Sequence, residues 1–151
     1  MKRKIYLAHC FSQAPHDFLN IIQDVRRDLE KEYEILSCKI SEGTSANDFY
    51  KESIKNCLPR CDIFVAFCDY PATGLGYELA VALEKYSKPT LGLAQEGIKI
   101  TRMVQGIDHP MYTFKRFKTQ EDIIFLIKEK ESRHFKSVVP VEVCETDVCT
   151  V

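Results

Sequence analysis

From Ile63 to Phe67 the chain reads IFVAF, a short run with no polar residue, entered from Asp62 and left through Cys68 and Asp69. Aromatic and β-branched side chains in so short a run predict a strand covered on both faces, and such a strand belongs in a parallel sheet between two layers of helices. The next residues agree with that placement. The turn Pro71-Ala72-Thr73-Gly74-Leu75-Gly76 leads into a helix predicted over 77–86, which ends before Lys88-Pro89.

Strand and helix signals alternate along the rest of the chain. Residues 5–8 make a first strand. From Asp17 onward Phe18, Ile21, Ile22, Val25 and Leu29 recur at helical spacing, with Arg26, Arg27 and Asp28 expected to face outward. Residues 33–38 make a second strand. The polar loop 41–48 ends in helix-start residues, and a helix over 49–58 is expected to stop near Pro59. Residues 90–94 make a fourth strand, 100–106 a short turn or helix, 111–114 a fifth strand, and 121–129 a last helix with Ile123, Ile124 and Ile127 facing in.

Five strand–helix units with right-handed crossovers predict an α/β fold. The expected form is a doubly wound five-stranded parallel sheet, flavodoxin or Rossmann-like, in three α/β/α layers. That domain is placed at residues 1–131. Residues 132–151 carry no helical period and are expected to form an extended or disordered tail.

Composition narrows the classes of function. With 151 residues, 45% of them hydrophobic, the chain has the apolar material for one full core. A net charge of −1, with basic and acidic residues interspersed, offers no basic stripe for nucleic acid, so a small-molecule partner is expected. No apolar run approaches the roughly 18 residues of a membrane helix, and the start MKRKIYLAHCF is unlike a signal peptide, which predicts a cytoplasmic protein without membrane association. The seven cysteines, Cys10, Cys38, Cys57, Cys61, Cys68, Cys144 and Cys149, contain no CxxC pair. Neither a metal site nor a disulfide framework is expected from them, and most read as small core residues.

Ligand chemistry is expected at the carboxyl ends of the strands. Gly74 and Gly76 allow close approach of backbone to a ligand, and Glu78 comes next in what the pattern makes the first helical turn. A carboxylate there gains about 0.3–1 kcal/mol from the helix dipole, which is reason enough for its presence. The same place also suits an ionised carboxylate acting as nucleophile or as acceptor of sugar hydroxyls. Asp69, at the end of the third strand, either points into the expected cleft or caps the turn before Pro71. His9, at the end of the first strand, either contacts a ligand or is a partly buried ring.

The order of these elements resembles the nucleoside 2-deoxyribosyltransferase superfamily. The likeness lies in Lys4-Ile5-Tyr6-Leu7-Ala8 at the start, Cys61-Asp62-Ile63-Phe64-Val65-Ala66 in the middle, and Gly74-Leu75-Gly76-Tyr77-Glu78-Leu79 followed by Ala80, Ala82 and Lys88-Pro89. It covers about residues 3–128 and is nearest to the 2′-deoxynucleoside 5′-phosphate N-hydrolases. The resemblance implies cleavage of the bond between base and sugar with Glu78 as nucleophile and Tyr6 orienting it. It further implies a 5′-phosphate held by the turn containing Thr73, Gly74 and Gly76, and Thr101 reaching a neighbouring site across a homodimer with shared active sites. His9 is a candidate contact to base or phosphate. No cofactor is implied. The family's helix aspartate falls here at Ser53 or Ile54, so Asp69, ahead of Glu52 and Asp48, is the expected second carboxylate. The alternatives are a transferase of the same family and a catalytically weakened, NAD-related nucleotide sensor.

Overall fold

The computed structural model describes residues 1–38 and 41–136. Five parallel strands, β1 (Lys4–His9), β2 (Glu34–Leu36), β3 (Ile63–Phe67), β4 (Thr90–Gln95) and β5 (Tyr112–Phe117), form one sheet in the order β2-β1-β3-β4-β5. This is the doubly wound sheet read from the sequence. In register, Tyr6 lies opposite Phe64, His9 opposite Phe67, and Phe67 opposite Leu93. Strand order reverses between β1 and β3, and sheets of this order leave a ligand crevice at that point.

Alternation along the strands sorts the core into two halves. One set, Ile5, Leu7, Ile63, Val65, Phe67, Leu91 and Leu93, packs on α1 (His16–Leu29) and α5 (Gln120–Phe135) through Phe18, Ile22, Val25, Ile123 and Ile127. The other set, Tyr6, Ala8, Phe64 and Ala66, packs on α2 (46–60) and α3 (73–85) through Ile54, Cys57, Leu58, Leu75, Leu79, Ala82 and Leu83. A short α4 (Arg102–Gln105) precedes β5. Among the described residues, no helix is long and apolar enough to cross a membrane.

Several boundaries differ from the sequence reading. The third helix starts at Thr73, so Gly74 and Gly76 are helical, and Glu78 sits in the second turn, away from the dipole end that was expected to hold it. Helix α5 runs to Phe135, which makes residues 132–135 helical where a tail was expected; residues 137–151 lie outside the described residues. Strand β2 is shorter than expected, and β5 starts one residue later and ends three residues later than expected.

Helix α2 begins at Ala46, where the Ser45 side chain accepts from the Asp48 N–H, and it passes through Pro59 to Arg60. It survives the proline by widening: residues Lys51–Cys57 form π-helical turns, and the Leu58 N–H reaches back to the Ser53 carbonyl. Pro59 has no N–H to offer the Ile54 carbonyl. That carbonyl accepts instead from the Tyr86 hydroxyl of the facing helix at 3.0 Å. The widened turn carries Ser53, which is 1% exposed, onto the sheet face beside Tyr6.

Gly92 marks a close approach between neighbouring strands. A Cβ there would collide with the Tyr112 hydroxyl, which donates to the Val104 carbonyl at 2.9 Å and so ties α4 to β5. Gly92→Ala is expected to cost about 1–3 kcal/mol by overpacking, read as a lower denaturant midpoint at an unchanged slope.

Candidate active site

A cleft of ≈ 490 Å³ opens at the carboxyl ends of β1 and β3, and Glu78 forms part of its wall. Three elements deliver the side chains around that carboxylate. Tyr6 comes from the centre of β1, Ser53 from the widened turn of α2, and Glu78 from the second turn of α3.

The Tyr6 hydroxyl donates to Glu78 Oε1 at 2.7 Å, and the Ser53 hydroxyl donates to the same oxygen. Tyr6 and Ser53 also lie 3.3 Å apart through their oxygens, so the three groups form a closed triangle. Both hydrogen bonds therefore fall on Oε1. Oε2 accepts from no described side chain and is not buried, so it is the oxygen available to a ligand.

Burial raises the Glu78 carboxyl above its ordinary range, while the hydroxyls of Ser53 and Tyr6 pull it back by favouring the charged form. Tyr6 is pushed far above the usual phenol value, first by burial and then by the Glu78 charge, so its proton stays in the bond to Oε1. His9 is lowered by burial, and its ring is neutral at pH 7. With Nδ1–H donating to the Cys10 carbonyl at 3.0 Å, its Nε2 is left as an acceptor. The ring packs against Phe11 with centroids 4.3 Å apart.

Of the residues singled out in the sequence, Tyr6, His9, Gly74 and Glu78 line this one cleft. Thr73, Gly76 and Thr101 line a separate groove of ≈ 280 Å³ on the other side of the α3 start. Asp69 does not line the cleft. Its side chain turns inward, 5% exposed, and Oδ1 accepts from the Gln95 N–H at 2.7 Å, locking the end of β3 to the end of β4. Its Oδ2 is buried without a partner, and burial raises its carboxyl above the ordinary value. Glu52 accepts from Asn56 at 2.9 Å and Asp48 sits at the exposed start of α2, so neither replaces it.

Ser53 and Arg26 are the residues that the sequence reading missed. Ser53 was noted only as lacking a carboxylate. Arg26 was expected to face outward, but it is half-buried, lines the cleft and donates to the Ser37 hydroxyl at 2.5 Å. It is the one permanent cation among the described lining residues. Its position one residue beyond the apolar Val25 was the available signal, since a long side chain at the border of the buried stripe reaches over the sheet end.

The start of α3 is open toward the cleft. Its first intrahelical bond runs from the Gly76 N–H to the Ala72 carbonyl at 3.2 Å, and no side chain caps it, which leaves the N–H groups of Thr73, Gly74 and Leu75 to outside acceptors. A Cβ built at Gly74 meets nothing within 4 Å, so there is room for a ligand against the backbone. Among the described residues there is no group of His, Cys, Asp and Glu side chains arranged to hold a metal ion.

No protein-family model and no curated protein matches the chain. Solved structures do share its fold. The CMP N-glycosidase BcmB of Clostridium botulinum superposes with a TM-score of 0.63 at 18% identity, covering 83% of this chain and 99% of its own. A 2-deoxyribosyltransferase from Leishmania mexicana superposes with a TM-score of 0.59 at 16% identity, covering 84% of this chain and 97% of its own. The resemblance read from the sequence thus holds at the level of the backbone, over nearly the whole of both neighbours.

Proposed function

We propose that this chain cleaves the N-glycosidic bond of nucleoside or deoxynucleoside 5′-monophosphates, with Glu78 as the nucleophile. The observation that carries the reading is the Tyr6–Ser53–Glu78 triangle. A carboxylate held by two hydroxyls through one oxygen presents the other to the cleft at the strand-order reversal. Oε2 attacks C1′ of the sugar, the C1′–N bond breaks, and a covalent glycosyl-enzyme forms; water then releases the sugar phosphate and restores the carboxylate. A CMP N-glycosidase and a deoxyribosyltransferase among the fold neighbours support the same bond as target.

The uncapped start of α3 suits the 5′-phosphate, as helix starts do for anions, and Arg26 supplies a complementary charge. Thr101 lines the other groove, and the contact to phosphate proposed for it comes from a second copy of the chain. The direct test is denaturing mass spectrometry after rapid mixing with a panel of monophosphates, alongside chromatography of free base. A sugar-phosphate adduct mapping to Glu78, with base released, supports the mechanism. Transfer of the sugar to an added second base would make the enzyme a transferase.

A second reading, a nucleotide-binding sensor with little turnover, is favoured by Ser53. It occupies the place where the resemblance calls for an aspartate, and no second carboxylate lines the cleft among the described residues. Tight binding without base release would select it.

Tyr6→Phe separates positioning from bulk. It keeps the ring and removes one hydrogen bond to the charged oxygen, a contribution of about 1.5–3 kcal/mol, so turnover is expected to fall roughly 10- to 100-fold. Because that bond favours ionised Glu78, its loss raises the Glu78 pKa further, and the acid limb of the pH–rate profile moves to higher pH.

A further inference from the structure

Two cysteines meet where the end of β2 faces α2 at the wall of the cleft. Cys38 follows β2, is half-buried and lines the cleft. Cys57 ends the widened turn of α2 and is 2% exposed. The Cys57 thiol donates to the Ser37 carbonyl at 3.7 Å, and that peptide unit ends at the Cys38 Cα. Cys38 packs on the same buried cluster that contains Cys57, so the two side chains are neighbours. Residues 37–38 leave a three-residue strand at the edge of the sheet, which gives them room to adopt the narrow geometry of a disulfide.

The two thiols are unequal. The hydrogen bond from Cys57 is the largest influence on Cys38 and draws it below the ordinary thiol value, against burial and the charges of Glu78 and Glu52. The same bond pushes Cys57 far above that value, so Cys57 keeps its proton. The thiolate is the nucleophile in thiol oxidation, and a lowered, reachable thiol beside a second cysteine is the arrangement that oxidises selectively. The other described cysteines are unsuited. Burial pushes Cys61 and Cys68 up to about 12, and Cys10, 3% exposed, donates to the Pro71 carbonyl at 3.6 Å.

From this arrangement we infer that Cys38 and Cys57 are a peroxide-responsive pair, which a hydroperoxide converts into a disulfide across the cleft wall. The Cys38 thiolate attacks one oxygen of the hydroperoxide, the O–O bond breaks, and the sulfur is oxidised to a sulfenic acid. The other oxygen takes up a proton and leaves as water or alcohol. Cys57 Sγ then attacks the Cys38 sulfur, the S–O bond breaks, and the departing hydroxide carries off the Cys57 proton as water. A reducing dithiol restores both thiols by exchange. The effect on the site follows from what each end is attached to. Ser53, one turn before Cys57, donates to Glu78 Oε1, and Ser37, next to Cys38, accepts from Arg26. A crosslink that draws Cys38 toward α2 shifts both attachments, and a misplacement of about 1 Å costs on the order of 10²-fold in rate. The oxidised form is therefore the slow form. That consequence rests on the Glu78 mechanism proposed above, whereas the crosslink does not.

The test treats the full chain with hydrogen peroxide and maps its thiols by alkylation and peptide mass spectrometry. A Cys38–Cys57 disulfide is expected before any other cysteine is oxidised, and dithiothreitol should remove it. In Cys57→Ser the reaction should stop at a Cys38 sulfenic acid that dimedone traps, and in Cys38→Ser the Cys57 thiol should persist. No crosslink, a first crosslink from either cysteine to Cys144 or Cys149, or Cys38 carried to the sulfinic acid with Cys57 still reduced overturns the inference. Base release from AMP, CMP and dCMP is the second readout. Oxidation is expected to lower it about tenfold or more in the wild type, reversibly, and to leave the rate of Cys38→Ser where it started. Release unaffected by a complete crosslink overturns the slow oxidised form and leaves the disulfide standing. No release from any monophosphate, or release unchanged in Glu78→Gln, overturns the Glu78 mechanism, while the mapped crosslink still decides the inference.

Discussion

Replacing Glu78 by glutamine is expected to reduce base release by about 10³-fold or more while leaving the fold at least as stable as the wild type. Glutamine keeps the size of the side chain and an oxygen for the Tyr6 and Ser53 hydroxyls, but it cannot form the glycosyl bond. The stability side comes from the environment of the carboxylate. Burial is the largest influence on Glu78 and raises its pKa in the folded state, so over the interval above the ordinary value of 4.5 the folded chain binds more proton than the unfolded chain. Stability therefore falls as pH rises through that interval, because the charge must be kept in a poorly solvated place. The glutamine variant lacks this dependence, and thermal unfolding at pH 7 should show an equal or higher midpoint. A variant that loses activity by unfolding would show the opposite. Full turnover in Glu78→Gln would end the proposed chemistry.

Phe67→Ala carries the largest expected cost to the fold. Phe67 is 1% exposed at the end of β3, with its ring edge-on to Phe18 of α1 at 6.2 Å and to Phe117 of β5 at 6.4 Å. It joins three elements in one layer, and none of them has a side chain free to fill the space. Truncation is expected to cost about 3–5 kcal/mol, from lost transfer free energy plus the cavity left behind. For a domain of this size that corresponds to a fall of roughly 10 °C in Tm. Phe67→Leu should recover much of it, since the lost volume is smaller. The loss falls on the side of the sheet away from Glu78, so binding by the folded fraction should change little at low temperature.

The strands were legible because apolar runs between turn residues survive in any context, and their alternation with helical stripes leaves few topologies. Helix boundaries were less so. Gly74 and Gly76 look like a turn, but helix α3 starts at Thr73, and the packing of Leu75 and Leu79 outweighs the poor helix propensity of glycine. Pro59 looks like a stop, but α2 continues through it with the Tyr86 hydroxyl meeting the freed Ile54 carbonyl, a contact between residues far apart in the chain. Within the site, Glu78 and Tyr6 were legible as members of a pattern. Ser53 was passed over because a serine carries no signal of its own, and Asp69 was read toward the cleft because a strand end gives position but not the direction in which a side chain is held.

What the amino-acid sequence determined by itself is the parallel sheet, its two helical layers and the presence of a carboxylate after β3, since these come from local periodicity and the handedness of crossovers. The tertiary structure decided which groups meet that carboxylate. Tyr6 and Ser53 lie 47 residues apart and both reach one oxygen of Glu78, while Asp69 is tied to a backbone N–H 26 residues away. The physical reason is that strand alternation and the widened turn of α2 set the direction of each side chain, and a hydrogen bond depends on that direction to within a fraction of an ångström.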